Sequence, residues 1–161
     1  CSIDKDLLQS PGHHYNLNSR EITLSTEEIG MKLLAIQILT GDSTDNIKGL
    51  HMIGDKKAEK ALENGNVDTY LETALSFYIE HYKKMQKKGK IKTDNTETLL
   101  NAVDHFVETF KLVYLLRNSD PLDPISVGIP DFKNFINTYQ NLDGYGPVRK
   151  SEGVDAATFF D

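Results

Sequence analysis

Two pairs of aspartates near the start of the chain have the residue type and spacing for metal-ion chemistry. Asp4 and Asp6 in SIDKDLL are two residues apart, so on a strand both carboxylates would point to one face. Asp42 and Asp45 in GDSTDN are three residues apart and can converge from a turn. Mg²⁺ prefers carboxylate oxygens, and two such ions can stabilise both the attacking and the leaving oxygen of a phosphodiester displacement. Taken singly, each pair is more often an exposed strand end or a capped turn.

A glycine-bearing, lysine-rich stretch, IKGLHMIGDKKAEKAL, follows the second acidic pair. Two short helical pieces around a turn would present backbone N–H groups and a helix N-terminus to a phosphate. The lysines of this stretch would hold a nucleic-acid backbone without reading bases; they are Lys48, Lys56, Lys57 and Lys60. A helical hairpin with a solvated lysine face explains the same pattern about as well.

The elements that must position these residues begin with a predicted short buried strand over residues 1–8. The turn signals of SPGHHYNLNSREITL predict a β-hairpin. A helix is predicted to start with Ser25 or Thr26 as N-cap, with Glu28 nearby as in a capping box, and to end at Gly41. A second helix is expected over about residues 55–64.

The remainder of the chain predicts helices. VDTYLETALSFYIEHYKKMQ and TETLLNAVDHFVETFKLVYLLRN have amphipathic patterns, and PDFKNFINTYQ begins with Pro130, which suits a first helical turn. The polar linker KKGKIKTDN carries a run of lysines that would either contact DNA or lie in solvent. Phe106, Phe110 and Tyr114 recur every four residues and are expected in the core. The fold class is therefore α/β turning mostly α, with an extended tail over residues 141–161.

Composition limits the classes of function. The 161 residues carry a net charge of −6, so nucleic-acid binding would depend on local basic patches. A single cysteine, Cys1, excludes an internal disulfide framework or a cysteine-built zinc site. No apolar run approaches the ~20 residues that span a bilayer, and we expect no membrane partner. Because the chain begins with Cys, we expect it to be a piece of something longer.

Taken together, SIDKDLLQ and TGDSTDNIKGLHMIGDKKAEKAL resemble the second half of a 5′-nuclease. That family includes the 5′→3′ exonuclease domain of bacterial DNA polymerase I, phage 5′→3′ exonucleases, phage RNase H and the flap endonucleases. The resemblance covers roughly residues 2–62 and is strongest to the phage members. It implies a PIN-like fold whose α/β core ends at residue 46, a helix–three-turn–helix motif over residues 47–64 and a helical region over residues 65–140.

The resemblance also implies a set of functional residues and ions. Asp4, Asp6, Asp42 and Asp45 would help to hold two Mg²⁺ or Mn²⁺ ions, with the other ligands in an upstream half of the nuclease that is absent here. The motif would bind the backbone of duplex or flap DNA, or of an RNA/DNA hybrid, often around a K⁺ ion. Its signature positions are Gly49, Gly54 and Lys56. Met52 stands where the family usually has glycine, and its Cβ restricts the backbone there.

The resemblance implies a phage-type 5′→3′ exodeoxyribonuclease or flap endonuclease in the cytoplasm of a bacterial host. Without the upstream half, we expect weak Mg²⁺ binding and little or no hydrolysis by this chain alone. The alternative is a non-catalytic DNA-binding module that positions a separate nuclease, and a plainer one is a helical interaction domain whose acids cap turns. The terminal ATFFD is a weak candidate for docking a DNA replication partner.

Overall fold

The computed structural model describes Cys1 and residues 4–115. This part of the chain is mixed α/β and mostly helical, and its strands form two separate two-stranded antiparallel sheets. The helices are α1 (Glu27–Thr40), α2 (Asp55–Ala61), α3 (Tyr70–Lys87) and α4 (Asn95–Val113), and the strands are β1 (Gly12–Tyr15), β2 (Ile22–Ser25), β3 (Gly41–Asp42) and β4 (Ile47–Lys48).

Helix α1 has the predicted ends. Thr26 is the N-cap, and its hydroxyl oxygen accepts the Ile29 N–H at 3.2 Å, while Gly41 ends the helix with φ of 72°. The expected capping box does not form, because the cap lies one residue later than the Glu28 spacing requires. Ser25 is instead buried, and its hydroxyl donates to the Leu8 carbonyl.

The predicted hairpin is confirmed as β1 and β2. Tyr15 pairs with Ile22 and His13 with Leu24 in an antiparallel register. Ile22 and Leu24 lie on one face of β2 because successive side chains alternate, and they are 68% and 54% exposed. The hairpin therefore has an apolar face that the described residues leave exposed.

Helices α3 and α4 form the core together with α1. Phe106 and Phe110 are fully buried, as predicted, and Tyr114 is half-buried and stacks on Phe110 with ring centroids 5.2 Å apart. The Tyr78 hydroxyl donates to the Ile38 carbonyl at 2.6 Å, which joins α3 to α1. Helix α4 ends at Val113 rather than at residue 118, because Tyr114 has an extended backbone.

The predicted strand over residues 1–8 is wrong. Residues Lys5–Gln9 form a 3-10 helix with Asp4 as N-cap, and the Asp4 carboxylate accepts the Asp6 N–H at 2.9 Å. Aspartate favours such local bonds to its own backbone over a strand ladder. The 3-10 helix lies directly on α1, where a Cβ on Gly30 would collide with the Gln9 carbonyl. Leu7 is exposed, and Gln9 is the buried residue of this segment.

The predicted helical piece at the start of residues 47–64 is also wrong. Ile47–Lys48 is strand β4, which pairs with Gly41–Asp42, and the next helix begins only at Asp55. The helix that precedes the turns is α1, and the helix that follows them is α2. The predicted helix that begins at Pro130 and the tail over residues 141–161 lie outside the described residues. Among α1 to α4, no helix has both the length and the apolar character needed to cross a membrane.

Candidate functional site

Two glutamine side chains connect the 3-10 helix to the last turn of α1. The Gln37 amide donates to Oδ1 of Asp6 at 2.7 Å, and the amide of the buried Gln9 donates to Oε1 of Gln37 and, at 2.9 Å, to the Val113 carbonyl. The Leu115 N–H donates back to Oε1 of Gln9 at 3.2 Å. These bonds fix the first aspartate pair beside the C-terminal end of α1. Sequence reasoning missed both glutamines, because the partners are 28 to 106 residues apart and no local pattern marks them.

Three of the four predicted aspartates are close enough to interact electrostatically. Burial raises the pKa of Asp6, and the negative charges of Asp4 and Asp42 raise it further, whereas the Gln37 hydrogen bond and Lys5 lower it. The negative end of the α1 dipole lies in the same region. Negative charge is therefore concentrated where a cation would be stabilised.

Asp42 is held in its ionised form by the turn that it starts. Its Oδ1 accepts the Thr44 N–H at 2.7 Å. This backbone bond lowers the pKa of Asp42, a second backbone bond from Asp45 lowers it as well, and burial opposes them. Asn46 then reverses the chain with φ of 57°. Asp45 is exposed, and the contact it makes with Asp42 runs through its backbone N–H.

The aspartates do not complete a coordination sphere by themselves. Across Cys1 and residues 4–115, no three His, Cys, Asp or Glu side chains are arranged to hold a metal ion. The structure thus brings Asp6 close enough to Asp4 and Asp42 for their charges to interact, while Asp45 is exposed.

Gly41 and Gly49 cross each other directly after α1. A Cβ on Gly49 would lie under 3.0 Å from the Gly41 nitrogen and from the backbone of Thr40 and Leu39, and a Cβ on Gly41 would meet the Gly49 nitrogen and the Ile47 carbonyl. The Leu50 N–H then donates to the Leu39 carbonyl at 2.9 Å. Gly41 and Gly49 are therefore both required by this backbone crossing.

The turn before α2 is strained and exposed. Met52 has φ of 66° and is 72% exposed. This left-handed backbone favours glycine, which is the residue that 5′-nucleases usually have at this position. The Lys57 ammonium donates to the Met52 carbonyl at 2.9 Å and so stabilises the turn. Gly54 is the N-cap of α2 with φ of −110°, and a Cβ there would meet nothing within 4 Å.

Helix α2 is anchored by its apolar side and shows its lysines to solvent. Ala58 is buried in the helix and Leu62 directly after it. Asp55 and Glu59 are four residues apart, as are Lys56 and Lys60, so the two acids and the two lysines form neighbouring rows on the surface of the helix. Within the described part of the chain, no carboxylate lies within 4.0 Å of the predicted DNA-contacting ammonium groups; these belong to the exposed residues Lys48, Lys56, Lys57 and Lys60.

Sequence comparison relates the chain to a DNA-synthesising enzyme. It is 34% identical over 132 residues to DNA polymerase I of Rhizobium leguminosarum, in an alignment that covers 76% of this chain and 12% of the polymerase. The chain therefore spans about an eighth of the length of that curated relative. No protein-family model matches the chain, and no solved structure matches it. The similarity supports a region related to part of a DNA polymerase I.

Proposed function

We propose that the chain is the C-terminal portion of a phage-type, Mg²⁺-dependent 5′→3′ exonuclease or flap endonuclease that hydrolyses DNA phosphodiesters. The observation that supports this proposal is the electrostatic interaction of Asp6 with Asp4 and Asp42 beside the C-terminal end of α1, where the Gln37 amide holds the Asp6 carboxylate. The similarity to a DNA polymerase I supports a protein that acts on nucleic acid.

In this proposal, Asp4, Asp6, Asp42 and Asp45 are carboxylate ligands of two Mg²⁺ or Mn²⁺ ions. Such ions would activate water and stabilise the charge that develops on the phosphate. Gln37 is a positioning residue, since its amide holds the Asp6 carboxylate. The ligands that complete the site would belong to an upstream half of the nuclease. In this proposal, the residue that holds Asp6 belongs to this chain, while hydrolysis needs this portion and the upstream half together.

The DNA interface in this proposal is the turn before α2 and the exposed face of that helix. Lys48, Lys56 and Lys60 would contact phosphates of duplex or flap DNA, or of an RNA/DNA hybrid, and Lys57 would hold the turn through the Met52 carbonyl. Gly49 allows the backbone crossing that aims the turn, and Gly54 leaves room for a close approach of the nucleic-acid backbone. A K⁺ ion would fit this function at the main-chain oxygens of the turn.

The apolar face of the hairpin supports the proposed upstream half. Ile22 and Leu24 are large, adjacent on one face and exposed in the described part of the chain, and larger contiguous apolar patches mark interaction sites. We propose that this face packs against the upstream part of the nuclease core. We further propose that the protein acts in the cytoplasm of a bacterium infected by a phage. A replication partner of the tail is a further proposal that concerns residues outside the described ones.

The alternative function is a non-catalytic module that binds duplex DNA and positions a separate nuclease. The specific observation in its favour is the lack, among residues 1 and 4–115, of three side chains arranged as metal ligands. In this alternative the aspartates serve the turn and the 3-10 helix, and only the lysine face binds a ligand.

A labelled 5′-flap substrate incubated with the full chain and Mg²⁺ tests the proposal first. Salt-sensitive binding that weakens in Lys56→Ala, but not in the control Lys111→Ala on α4, supports the DNA interface. Cleavage that is lost in Asp42→Asn supports the nuclease. No binding at low salt contradicts both functions.

Metal binding separates the two functions when the chain binds without cleaving. Mn²⁺ should broaden the backbone amide NMR signals around Asp6 and Asp42 at millimolar concentrations, and Asp42→Asn should reduce the broadening. An unchanged spectrum, together with salt-sensitive DNA binding, favours the non-catalytic module.

A further inference from the structure

The buried side chain of Gln9 joins the 3-10 helix to the end of α4 as well as to α1. Its amide nitrogen donates to the Val113 carbonyl at 2.9 Å and to Oε1 of Gln37, and its own Oε1 accepts the Leu115 N–H at 3.2 Å. Gln9 is 4% exposed, so these bonds form away from solvent, where a polar group needs its partners. We call Gln9 and Gln37 the glutamine pair.

Two backbone groups at the end of α4 fix the direction of the Gln9 amide. The Leu115 N–H can only donate, so the atom beside it must be Oε1, and the Val113 carbonyl can only accept, so the atom beside it must be Nε2. The other N–H of this nitrogen requires an acceptor on Gln37, which is Oε1 of that residue. The nitrogen of Gln37 is consequently left for Asp6, to which it donates at 2.7 Å.

This order of donors and acceptors determines what the Asp6 carboxylate meets. An ionised carboxylate only accepts hydrogen bonds, and a bond that it accepts from an N–H is stronger than one between neutral groups. If the Gln37 amide were turned over, its carbonyl oxygen would face the carboxylate, and the two acceptors would repel each other. Because Gln9 donates to Oε1 of Gln37, the amide is held with its nitrogen toward Asp6.

We propose that Gln9 is a positioning residue of the proposed metal site, and that the end of α4 sets the orientation of the Asp6 carboxylate through the glutamine pair. The inference rests on the proposed nuclease function and adds to it the residue that keeps Gln37 turned toward Asp6. Carboxylates that ligate metal ions are themselves held by hydrogen bonds, and the loss of such a partner lowers the affinity for the metal about 10- to 100-fold. Val113, which lies 104 residues after Gln9, thus helps to support this site.

Addition of Mn²⁺ to the full chain, followed by the broadening of the backbone amide NMR signals around Asp6, tests the proposal. Gln9→Met keeps about the length of the side chain and removes its hydrogen bonds, so it should weaken Mn²⁺ binding roughly three- to tenfold, less than the loss of a direct partner of a ligand. Ser25→Ala is the matched control. The Ser25 hydroxyl also holds the 3-10 helix, through the Leu8 carbonyl, but it is not part of the glutamine pair, so this variant should bind Mn²⁺ like the wild type.

A double-mutant cycle measures whether Gln9 acts through Gln37. Gln37→Met removes the hydrogen bond to Asp6 directly and should weaken Mn²⁺ binding about tenfold or more. In that background Gln9→Met should add less than about a twofold loss, because the amide that it orients is gone. The side-chain amide signals of Gln37, which are assigned by their absence in Gln37→Met, should shift in Gln9→Met and stay in place in Ser25→Ala.

Leu115→Pro is a second variant that disturbs the glutamine pair from the end of α4. Proline removes the N–H that Oε1 of Gln9 accepts, and Tyr114 before it has ψ of 125°, a conformation that the residue preceding a proline favours. The Val113 carbonyl still orients Gln9 in this variant, so Mn²⁺ binding should weaken only about two- to threefold. Circular dichroism establishes which variants are folded, and Leu115→Pro provides the test if Gln9→Met is not.

The outcomes separate this inference from the function on which it rests. Mn²⁺ binding that is unchanged in folded Gln9→Met, or in Leu115→Pro where Gln9→Met does not fold, overturns the inference and leaves the metal site standing. An equal loss in Ser25→Ala also overturns it, because the effect would then belong to the packing of the 3-10 helix, and so do losses that add fully in the double-mutant cycle. A wild-type chain that shows no broadening at millimolar Mn²⁺ overturns both the inference and the proposed metal site.

Discussion

Close backbone contacts determine the residue types at the start of the segment between α1 and α2, but not at its end. At its start, Gly41 and Gly49 cross so closely that neither position accepts a Cβ. At its end, Met52 occupies a left-handed backbone position and Gly54 has an ordinary backbone with open space around it. The fold explains the glycines of the first half and explains neither residue of the second. Residue types that the fold does not require are the better candidates for contact with a ligand.

The charged groups of the segment and its neighbours show the same contrast. The Asp6 and Asp42 carboxylates are fixed by hydrogen bonds from Gln37 and from the turn backbone. Lys56 and Lys60 are exposed and have no carboxylate partner in the described part of the chain. The two carboxylates are therefore held by hydrogen bonds within the fold, while the lysine face is available to solvent or to a polyanion.

The largest expected effect comes from Gly49→Ser, which should disrupt the backbone crossing of Gly41 and Gly49. The new Cβ would collide with backbone atoms of Leu39, Thr40 and Gly41, and backbone cannot move aside as a flexible side chain can. We expect a loss of about 3 kcal/mol in the free energy of unfolding. Urea denaturation followed by circular dichroism measures this loss. A stability close to that of the wild type would show that the crossing does not form in solution.

The stability of the packing between α1 and α3 should also depend on high pH, through Tyr78. This tyrosine binds the Ile38 carbonyl in α1, and burial raises its pKa from 10.0 to about 12. The folded state thus favours the neutral phenol. Its contribution is complete below pH 10 and is lost as the pH rises from 10 toward 12, by about 2 to 3 kcal/mol.

Urea midpoints measured between pH 9 and pH 12 follow this loss. Tyr78→Phe lacks the titrating group, so it should be less stable at pH 9 and show a smaller decline above pH 10. Tyr70 and Tyr82 also have raised pKa values and leave a residual slope. An equally steep decline in the variant would assign the loss to those other tyrosines.

Periodicity and turn signals predicted the elements that depend on local sequence. The β1–β2 hairpin, the helices α1 and α3 and the end of α1 at Gly41 follow from alternation, helical spacing and glycine. The buried ring positions Phe106 and Phe110 follow from the same spacing. These features depend on neighbours in the chain, which the sequence shows directly.

Contacts between distant residues were not predictable in the same way. The Asp4–Asp6 segment was expected as a strand, but Asp4 caps a 3-10 helix that Gln9 and Gln37 hold against α1. The crossing of Gly41 and Gly49 similarly replaces an expected helical piece by strands. The joint placement of Asp4, Asp6, Asp42 and Asp45 was inferred from a resemblance, and of these the structure relates Asp6 to Asp4 and Asp42. Geometry in each case depends on packing between segments that no local pattern relates.

The turn itself should become more stable in Met52→Gly. A left-handed conformation costs a residue with a Cβ about 1 to 2 kcal/mol, and the greater freedom of glycine in the unfolded chain offsets about 0.5 to 1 kcal/mol of this. We therefore expect a net gain of about 0.5 to 1 kcal/mol in thermal or urea denaturation. His51→Gly is the matched control, because His51 has no positive φ and should lose stability. A loss in both variants would contradict the strained turn.

The smallest expected effect on stability, and the most informative about function, is that of Gly54→Ser. Residue 54 caps α2 with an extended backbone and open space, and serine is a good N-cap residue, so the free energy of unfolding should change by less than about 0.5 kcal/mol. The same substitution at residue 49 provides the contrast. If a nucleic-acid backbone approaches residue 54 as proposed, the added side chain obstructs it, and duplex affinity measured by anisotropy at low salt should fall several-fold while stability does not. Unchanged affinity in a stable Gly54→Ser variant would show that Gly54 serves only to start α2, and the DNA-contacting surface would then have to lie farther along the lysines of that helix.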